Sequence, residues 1–259
     1  MSLFQQIGYL FQNSWQLYLY GIVSTIVLSI FGTIVGLFLG IFLALGEQIH
    51  VHKNSPWYTK AWQYLIIWIC KIYSVVVRGT PMMVQAMIFY FGCLAMGLNW
   101  NDFLQNAKIF DGLFFAGLII ITFNTATYMG EIVKSGLNGI DNGQSEGARS
   151  LGMSRFQTMF SVALPQAIKN SIPTIGNEWI VNIKDSSVLN VIGVTELYFQ
   201  AGQASNKNYF LVATYVIIAA IYLILTLLTN GILHLAKIKM DGKKINFGFS
   251  HFKAKKANA

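Results

Sequence analysis

Five long apolar stretches divide this chain, and short polar segments separate them. They are Tyr20 to Leu45, Trp62 to Met96, Phe114 to Met129, Thr174 to Gln200 and Tyr209 to Ala236. A helix needs about 20 mostly apolar residues to cross the hydrocarbon core of a bilayer. The pattern therefore predicts an all-α integral membrane protein with five spans, contained in residues 19–236.

The segment before the first span has a different pattern. Between Met1 and Tyr18, apolar and aromatic residues recur at helical intervals, and glutamine or asparagine fills positions between them. This arrangement is typical of a helix that lies in the membrane interface with aromatic anchors. We therefore predict an interfacial N-terminal helix over residues 1–18 that does not cross the membrane.

The first span contains a stripe of small residues, Gly32, Gly36 and Gly40. Residues four apart lie on one face of a helix, and small side chains let two membrane helices approach closely. The stripe predicts the face on which the first span packs against a neighbouring helix.

The second apolar stretch is too long for one simple span and is interrupted at Arg78, Gly79 and Pro81. Proline disfavours a helix that continues through the residue before it. Two helical pieces are therefore predicted to meet at this point. The first piece, from about Trp62 to Val77, is predicted to lead into the second span without crossing on its own.

A polar block lies between the third and fourth spans, from Gly143 to Pro165. Gln144 to Leu151 has the pattern of a short amphipathic helix, Gly152 interrupts it, and Ser154 is a favourable N-cap for a second helix. Two helices that meet at a glycine form a projecting unit. We predict that this unit lies within a loop over residues 134–172, which connects the third and fourth spans.

The fourth span carries polar residues that are unusual for a membrane helix: Glu178, Asn182, Lys184 and Asp185. At about 100° per residue, Glu178, Asn182 and Asp185 share one face, and Lys184 lies on the flank. A charge near the bilayer centre is unfavourable by several kcal/mol, so these groups must face protein or water. Two interpretations remain open: a structural network between helices, and the lining of a solute route.

Composition excludes a water-soluble domain. The chain is 54% hydrophobic and only 11% charged, whereas soluble domains are typically about 25% charged. The net charge of +8 is of the kind that a membrane protein accumulates on its cytoplasmic side, so no nucleic acid is needed as a partner. Cys70 and Cys93 lack a paired spacing and predict neither a disulfide nor a metal site. No basic region precedes the first span, so no cleavable signal peptide is expected.

Lysine and arginine are distributed unevenly over the predicted loops. With the N-terminus outside, the outer loops hold Lys108 and Lys207. The inner segments then hold Lys53, Lys60, Lys134, Arg149, Arg155, Lys169 and seven lysines from Lys237 onward. Because positive residues accumulate in cytoplasmic segments, the polar block, the C-terminus and a basic tail over residues 237–259 are predicted to be cytoplasmic.

The chain lacks the phosphate-binding sequence G-x-x-x-x-G-K-S/T. We therefore expect no catalytic, cofactor or metal site in this chain. Any ATP and Mg²⁺ would be bound by another polypeptide.

The polar block resembles the EAA loop of the permease subunits of ATP-binding-cassette (ABC) importers. The resemblance rests on Glu146, Gly147 and Ala148, on Gly152, and on the ending Val162 to Pro165; the family usually has alanine where Gly147 stands. It implies that this loop couples to a cytoplasmic ATPase. The residues it assigns to that contact are Gln144, Glu146, Gly147, Ala148, Gly152, Leu164 and Pro165.

Three runs resemble permeases of the polar amino-acid uptake family, in the same order: RGTPMMVQ from Arg78, TYMGEIVKSGL from Thr127, and GNEWIVNIKDSSVLNVIGVTEL from Gly176. Arg78 and Lys184 are expected as the nearest counter-charges of the polar face on the fourth span. An arginine that only anchors the helix at the interface is an equally open interpretation of Arg78. Together with the polar face of the fourth span, these runs predict the following substrate-pathway residues: Arg78, Gln85, Glu178, Asn182, Lys184 and Asp185.

The family implies a five-span type I ABC importer permease in the bacterial inner membrane. Its expected partners are a second permease subunit, identical or homologous, two cytoplasmic ATPases and an extracytoplasmic amino-acid-binding protein. A secondary amino-acid transporter is the alternative, but it would usually show two interrupted segments in matching repeats, and the sequence shows one. A membrane enzyme fits less well, because His50, His52, His234 and His251 all lie at or beyond span ends.

Overall fold

The structure is a computed structural model that describes residues 1–51, 53, 55–103, 110–206 and 209–240. In this part of the chain every regular element is helical, so the predicted all-α class is confirmed. The α-helices are α1 (Leu3–Glu47), α2 (Trp57–Gly79), α3 (Met82–Ala95), α4 (Gly112–Asn138), α5 (Asn142–Ser150), α6 (Arg155–Thr158), α7 (Leu164–Asp185), α8 (Leu197–Ser205) and α9 (Leu211–Met240).

Four of these helices are long and apolar enough to cross a membrane: α1, α2, α4 and α9. The fifth long helix, α7, carries the polar residues of the predicted fourth span. Short 3₁₀ helices cover Trp100–Asp102 and Ser186–Ile192, and a π-helical segment covers Met159–Ala163. The long helices thus provide the predicted spans with altered boundaries.

The N-terminal segment is not a separate helix, so the predicted boundary at residue 18 is wrong. Helix α1 runs without a break for 45 residues from Leu3 to Glu47, a length of about 67 Å. Leu10 and Tyr18 are buried against α8 and α9. Phe4, Phe11 and Trp15 of the same segment stay exposed, so only one side of it packs on the bundle.

The glycine stripe of α1 packs directly on α4, as predicted. A Cβ atom built on Gly40 would lie 2.6 Å from the Cβ of Met129 and 2.7 Å from the backbone nitrogen of Gly130. Cβ atoms built on Gly32 and Gly36 would lie 2.9 Å from side-chain atoms of Ile121 and Thr125, respectively. The backbones of α1 and α4 can therefore approach this closely only because these three positions are glycine.

The predicted break in the second apolar stretch is confirmed, since α2 ends at Gly79 and α3 begins at Met82. Arg78 at the end of α2 contacts Glu131 of α4, and Gln85 in the first turn of α3 contacts Asn124, which lies earlier on α4. The junction of α2 and α3 therefore packs against the middle and the second half of α4. That the first piece leads into the second span without crossing on its own stays a prediction.

The fourth span begins earlier than predicted. Helix α6 continues through the π-helical segment into α7, and Pro173 lies inside α7 and not at its start. Proline is tolerated in membrane helices where neighbouring groups satisfy the freed carbonyl. The predicted loop over residues 134–172 is correspondingly shorter, because its two ends belong to α4 and α7.

The fourth span also ends earlier than predicted, at Asp185 and not at Gln200. The hydroxyls of Ser186 and Ser187 donate to carbonyls at the end of α7, at 2.9 Å and 2.7 Å. Such local hydrogen bonds compete with continuation of the helix. Gly193, with φ of 86°, then turns the chain towards α8.

The C-terminal region is helical as far as the structure describes it. Helix α9 extends to Met240, so Lys237 and Lys239 of the predicted basic tail belong to its last turn. Residues 241–259 lie outside the described residues, as do Lys108 and Lys207 of the predicted outer loops.

Replacing Gly40 with valine is expected to destabilise the bundle, because the new side chain would overlap Met129 and the α4 backbone. Overpacking of this kind costs about 1–3 kcal/mol. We expect a lower midpoint of thermal unfolding in detergent micelles. Gly231→Val on α9 is the matched control, since a Cβ there meets nothing within 4 Å. Equal midpoints for the two variants would contradict close packing of α1 on α4.

Candidate functional site

Asn182 is buried where α7 meets α1 and α4, and is only 3% exposed. Its amide nitrogen donates to the Thr33 hydroxyl at 2.9 Å, and its carbonyl oxygen accepts from the Thr125 hydroxyl at 3.0 Å. Hydrogen bonds between membrane helices fix their relative position. The structure therefore places Asn182 in a helix interface, and the predicted polar face of α7 divides into two parts.

Glu178 and Asp185 form the other part of that face. They are seven residues apart on α7, about two helical turns, so their side chains leave the helix in nearly the same direction. Both are half-buried, and Lys184 beside them is exposed. Within the described residues, neither carboxylate has a hydrogen bond or ion pair, and no group of three or more His, Cys, Asp and Glu side chains is placed to hold a metal. The two carboxylates are thus open to a cationic group from outside the protomer.

Arg78 lies elsewhere, in contact with α4. Its Nη1 atom is 2.8 Å from Oε1 of Glu131. The expectation that Arg78 is a nearest counter-charge of Glu178 and Asp185 is thereby corrected. An arginine at the end of a helix reaches whichever carboxylate its neighbours present, and the sequence does not identify that neighbour.

Gln85 holds the break between α2 and α3 together. Its amide nitrogen donates to the carbonyls of Val77 at 2.7 Å and Thr80 at 2.9 Å, and its side-chain oxygen accepts from Asn124 at 3.0 Å. The last carbonyls of a helix lack donors within the helix, so Gln85 supplies one for the end of α2. Both ends of this amide are therefore occupied by the protein itself.

An ion-pair cluster that the sequence did not reveal joins α1, α2 and α4. The Nζ atom of Lys134 lies 2.8 Å from Glu47 and 3.4 Å from Glu131, which in turn pairs with Arg78. Glu47 is nearly buried and also accepts from the Ser74 hydroxyl at 2.8 Å. Only the three-residue spacing of Glu131 and Lys134 was a visible signal, because the other partners are distant in the chain.

Glu196 is a fully buried carboxylate to which sequence reasoning gave no role. It caps α8 by accepting from the backbone N–H groups of Tyr198 at 3.0 Å and Phe199 at 2.9 Å, and it accepts from the Tyr222 hydroxyl of α9 at 2.7 Å. The available signal was an acidic residue directly before an apolar run, which is typical of an N-cap. Glu196 joins α8 to α9 and has no free side towards a solute.

The polar block forms a projecting unit of α5 and α6, as predicted. Gly152 lies between them with φ of 86°, in the left-handed region that favours glycine. Ser154 and Gln157 cap α6 reciprocally, since each side chain accepts from the backbone N–H of the other. The two predicted helices, the glycine between them and the serine cap are all confirmed.

The surface of this unit carries large apolar side chains. Leu151 is 86% exposed and Phe156 is 71% exposed, and the ring of Phe156 lies 4.4 Å from that of Phe160. Exposed apolar side chains that cluster in this way are typical of a docking surface. Of the predicted coupling residues, those on the surface are Gln144, Glu146, Gly147, Gly152 and Pro165, and those buried are Ala148 and Leu164.

Sequence reasoning had identified the apolar positions of this unit but not their exposure. An amphipathic pattern shows that a helix has an apolar face, and it does not show whether the covering surface belongs to the same chain. Leu151 and Phe156 were therefore missed as candidate contacts.

Comparison with known proteins gives the family. Residues 65–240 match the family described as "Binding-protein-dependent transport system inner membrane component". The arginine transport system permease protein ArtQ of Bacillus subtilis is 36% identical over 64% of this chain and 71% of its own length. The glutamine transport system permease protein GlnP of Escherichia coli is 34% identical over 65% of this chain and 73% of its own length.

Solved structures give the fold. A crystal structure of an amino acid ABC transporter with histidines superposes with a TM-score of 0.74 at 31% identity, covering 92% of this chain and 99% of the other. The MetNI methionine ABC transporter in an inward-facing conformation shares the fold, with a TM-score of 0.62 at 18% identity over 93% of this chain and 99% of the other. The chain therefore belongs to the family of binding-protein-dependent transport system inner membrane components, and it has the helical fold of type I ABC-transporter permeases.

Proposed function

We propose that this protein is the membrane subunit of an ATP-driven importer of polar amino acids. The observation that carries the proposal is the projecting α5–α6 unit with its exposed Leu151 and Phe156, on a chain without a phosphate-binding sequence. Such a surface fits a partner that supplies the energy. Relatives named as arginine and glutamine permeases support polar amino acids as the substrate class.

The proposed assembly contains two permease subunits, two cytoplasmic ATPases that bind ATP and Mg²⁺, and an extracytoplasmic binding protein that delivers the amino acid. The second permease subunit is identical or homologous. The half-buried carboxylates of Glu178 and Asp185 support this arrangement, because a polar face on a membrane helix is unfavourable in lipid. Pairing of two subunits along this face would complete a route that one bundle only lines on one side.

We propose that the N-terminus lies outside and that α5 and α6 lie in the cytoplasm of a bacterial inner membrane. The support is electrostatic, since the helix ends and connections on that side carry Lys134, Arg149, Arg155 and Lys169. In this orientation the exposed α5–α6 surface faces the compartment that contains ATP.

The route from ATPase to solute follows from helix continuity. Helix α6 passes through the π-helical segment into α7, and α7 carries Glu178 and Asp185. A displacement of the α5–α6 unit by a closing ATPase pair therefore moves the helix that carries both carboxylates. Closing and opening of the ATPases would expose these carboxylates to alternate sides of the membrane.

Gly152→Val is expected to lower ATP-driven uptake at least about tenfold while the protein still assembles in the membrane. A β-branched residue at positive φ costs about 1–3 kcal/mol of backbone strain, which would displace the α5–α6 unit. The measurement is uptake of labelled arginine and glutamine into proteoliposomes that contain the complete complex with ATP inside.

Gly97→Val is the matched control for this variant. Gly97 has φ of 80°, close to the 86° of Gly152, and a Cβ at either position meets nothing within 4 Å. It lies after α3, at the other end of the bundle. Wild-type uptake by membrane-inserted Gly152→Val would refute the coupling role, and uptake without ATP would favour a secondary transporter.

Asn182→Leu is expected to lower the amount of folded protein without changing the ranking of substrates. The variant leaves the Thr33 and Thr125 hydroxyls without their partner, which costs about 1–3 kcal/mol. Yield and thermal unfolding in detergent report the stability, and stimulated ATPase activity reports the ranking. Asn177→Leu, at an exposed position of the same helix, is the matched control. An altered ranking with unchanged stability would place Asn182 in the route.

Glu178→Gln is expected to have the opposite effect, with unchanged stability and changed substrate preference. An ion pair that remains accessible to water is worth up to about 1 kcal/mol, so apparent affinity for a cationic amino acid should fall up to about fivefold relative to a neutral one. Stimulated ATPase activity with arginine, glutamine and glutamate measures this preference. Glu178→Asp retains the charge and serves as the control. The same affinities and ranking in Glu178→Gln as in the wild type would exclude this carboxylate from the route.

A further inference from the structure

A cavity of about 570 Å³ lies between α4 and α7, on the side of the bundle where the α5–α6 unit projects. It is open to the outside of the bundle over much of its surface, and its volume is large enough to admit a small polar solute. The polar residues that line it are Glu131, Ser135, Asn170, Ser171 and Thr174. The cavity therefore offers one carboxylate, three hydroxyls and one amide to a small polar solute.

The cavity and the carboxylates of Glu178 and Asp185 lie along the same side of α7. Asn170, Thr174 and Glu178 are spaced four residues apart, so they follow one side of the helix. The distance along α7 from Asn170 to Asp185 is about 22 Å. One polar surface thus leads from the pair formed by Glu178 and Asp185 to the cavity.

Glu131 is the only carboxylate among the residues described as lining the cavity, and two cations neutralise it. Lys134 lies on the same helix and is held more closely by Glu47, at 2.8 Å against 3.4 Å for Glu131. Because Lys134 and Glu131 belong to the same helix, they move together when α4 moves. Arg78 contacts Glu131 at 2.8 Å from a different element, next to Gly79 at the break between α2 and α3.

The two cations consequently differ in what a movement of the helices would do to them. Lys134 remains beside Glu131 in any displacement of α4, but its charge is shared with Glu47. Arg78 cancels the charge of Glu131. A shift of the α2–α3 junction would move Arg78 away from Glu131. While Arg78 stays in place, the wall of the cavity presents hydrogen-bonding groups without a net negative charge.

We propose that this cavity is the cytoplasmic vestibule of the route, and that Arg78 prevents it from retaining cationic solutes by neutralising Glu131. The inference rests on the proposed function and extends it to the release of the amino acid. Arg78 is in this sense a positioning residue for release, since it acts through Glu131. A cationic solute that leaves the Glu178–Asp185 face then meets no second unpaired carboxylate on its way out.

Arg78→Gln tests the proposal, because it leaves Glu131 facing the cavity without its exchangeable partner. The probes are arginine, glutamine and glutamate, each loaded on the order of 10 mM into the lumen of proteoliposomes that contain the complete complex, a concentration suited to a weak site. Turnover is followed as ATP-driven uptake. We expect lumenal arginine to slow ATP-driven uptake by the Arg78→Gln complex by about fivefold, which corresponds to the free energy of one exposed ion pair. Lumenal glutamine and glutamate are expected to have no effect.

Two further variants separate this role from a purely structural one. Glu131→Gln removes the carboxylate and is expected to show no inhibition by arginine. The double variant, Arg78→Gln with Glu131→Gln, is expected to lack the inhibition that Arg78→Gln shows. A structural ion pair predicts equal defects in both single variants and no difference among the three probes. Lys169→Gln, which removes a positive charge from an exposed site on α7, controls for net charge.

Ser135→Asp provides a second test if Arg78→Gln does not fold. Ser135 is exposed and lines the same cavity, so an aspartate there adds an unpaired carboxylate while the ion-pair cluster stays intact. We expect the same selective inhibition by lumenal arginine. If arginine inhibits neither variant, or if all three probes inhibit equally, the proposal is overturned. Failure of the proposed function is distinguishable, because wild-type complex would then show no ATP-driven uptake of any amino acid.

Discussion

The close approach of α1 and α4 along the glycine stripe is the interaction on which the rest of the bundle depends. Lipid is as apolar as leucine, so helices in a membrane gain little from burying apolar side chains and associate by close packing and hydrogen bonds. Gly32, Gly36 and Gly40 bring the two backbones together. Asn182 then bridges the same interface by bonding Thr33 of α1 and Thr125 of α4. The position of α7, and with it the carboxylate face, is therefore set by a contact between two other helices.

Polar groups in this bundle fall into two classes that differ in their partners. Asn182, Gln85 and Glu196 have hydrogen bonds within the chain, and each joins helices or caps an end. Glu178 and Asp185 have no such bonds among the described residues. Since an unsatisfied polar group is unfavourable in lipid, the second class is where a solute or a second subunit is expected to act. A polar side chain within a span is expected to have a role, and its hydrogen-bond partners show whether that role is to hold helices together or to meet another molecule.

The continuity of α6 with α7 joins the exposed α5–α6 unit directly to the helix that carries Glu178 and Asp185. A helix transmits displacement along its axis because every turn is hydrogen-bonded to the next. The ion-pair cluster of Glu47, Lys134, Glu131 and Arg78 ties the neighbouring helices together near the same end. Movement of the α5–α6 unit is thus imposed on a part of the bundle that is already cross-linked by charge.

The order of residues was enough to predict the helical class, the packing role of the glycine stripe, the break at Gly79 to Pro81, and the α5–α6 unit with Gly152 at its turn. These features depend on local properties: hydrophobic length, the conformational freedom of glycine, the missing N–H of proline and the capping of helix ends. Four features became visible only in three dimensions: α1 is continuous, α7 ends at Asp185, Asn182 bridges α1 and α4, and Arg78 pairs with Glu131. Each of these depends on which distant residue lies opposite, and a pattern along one chain carries no information about that partner.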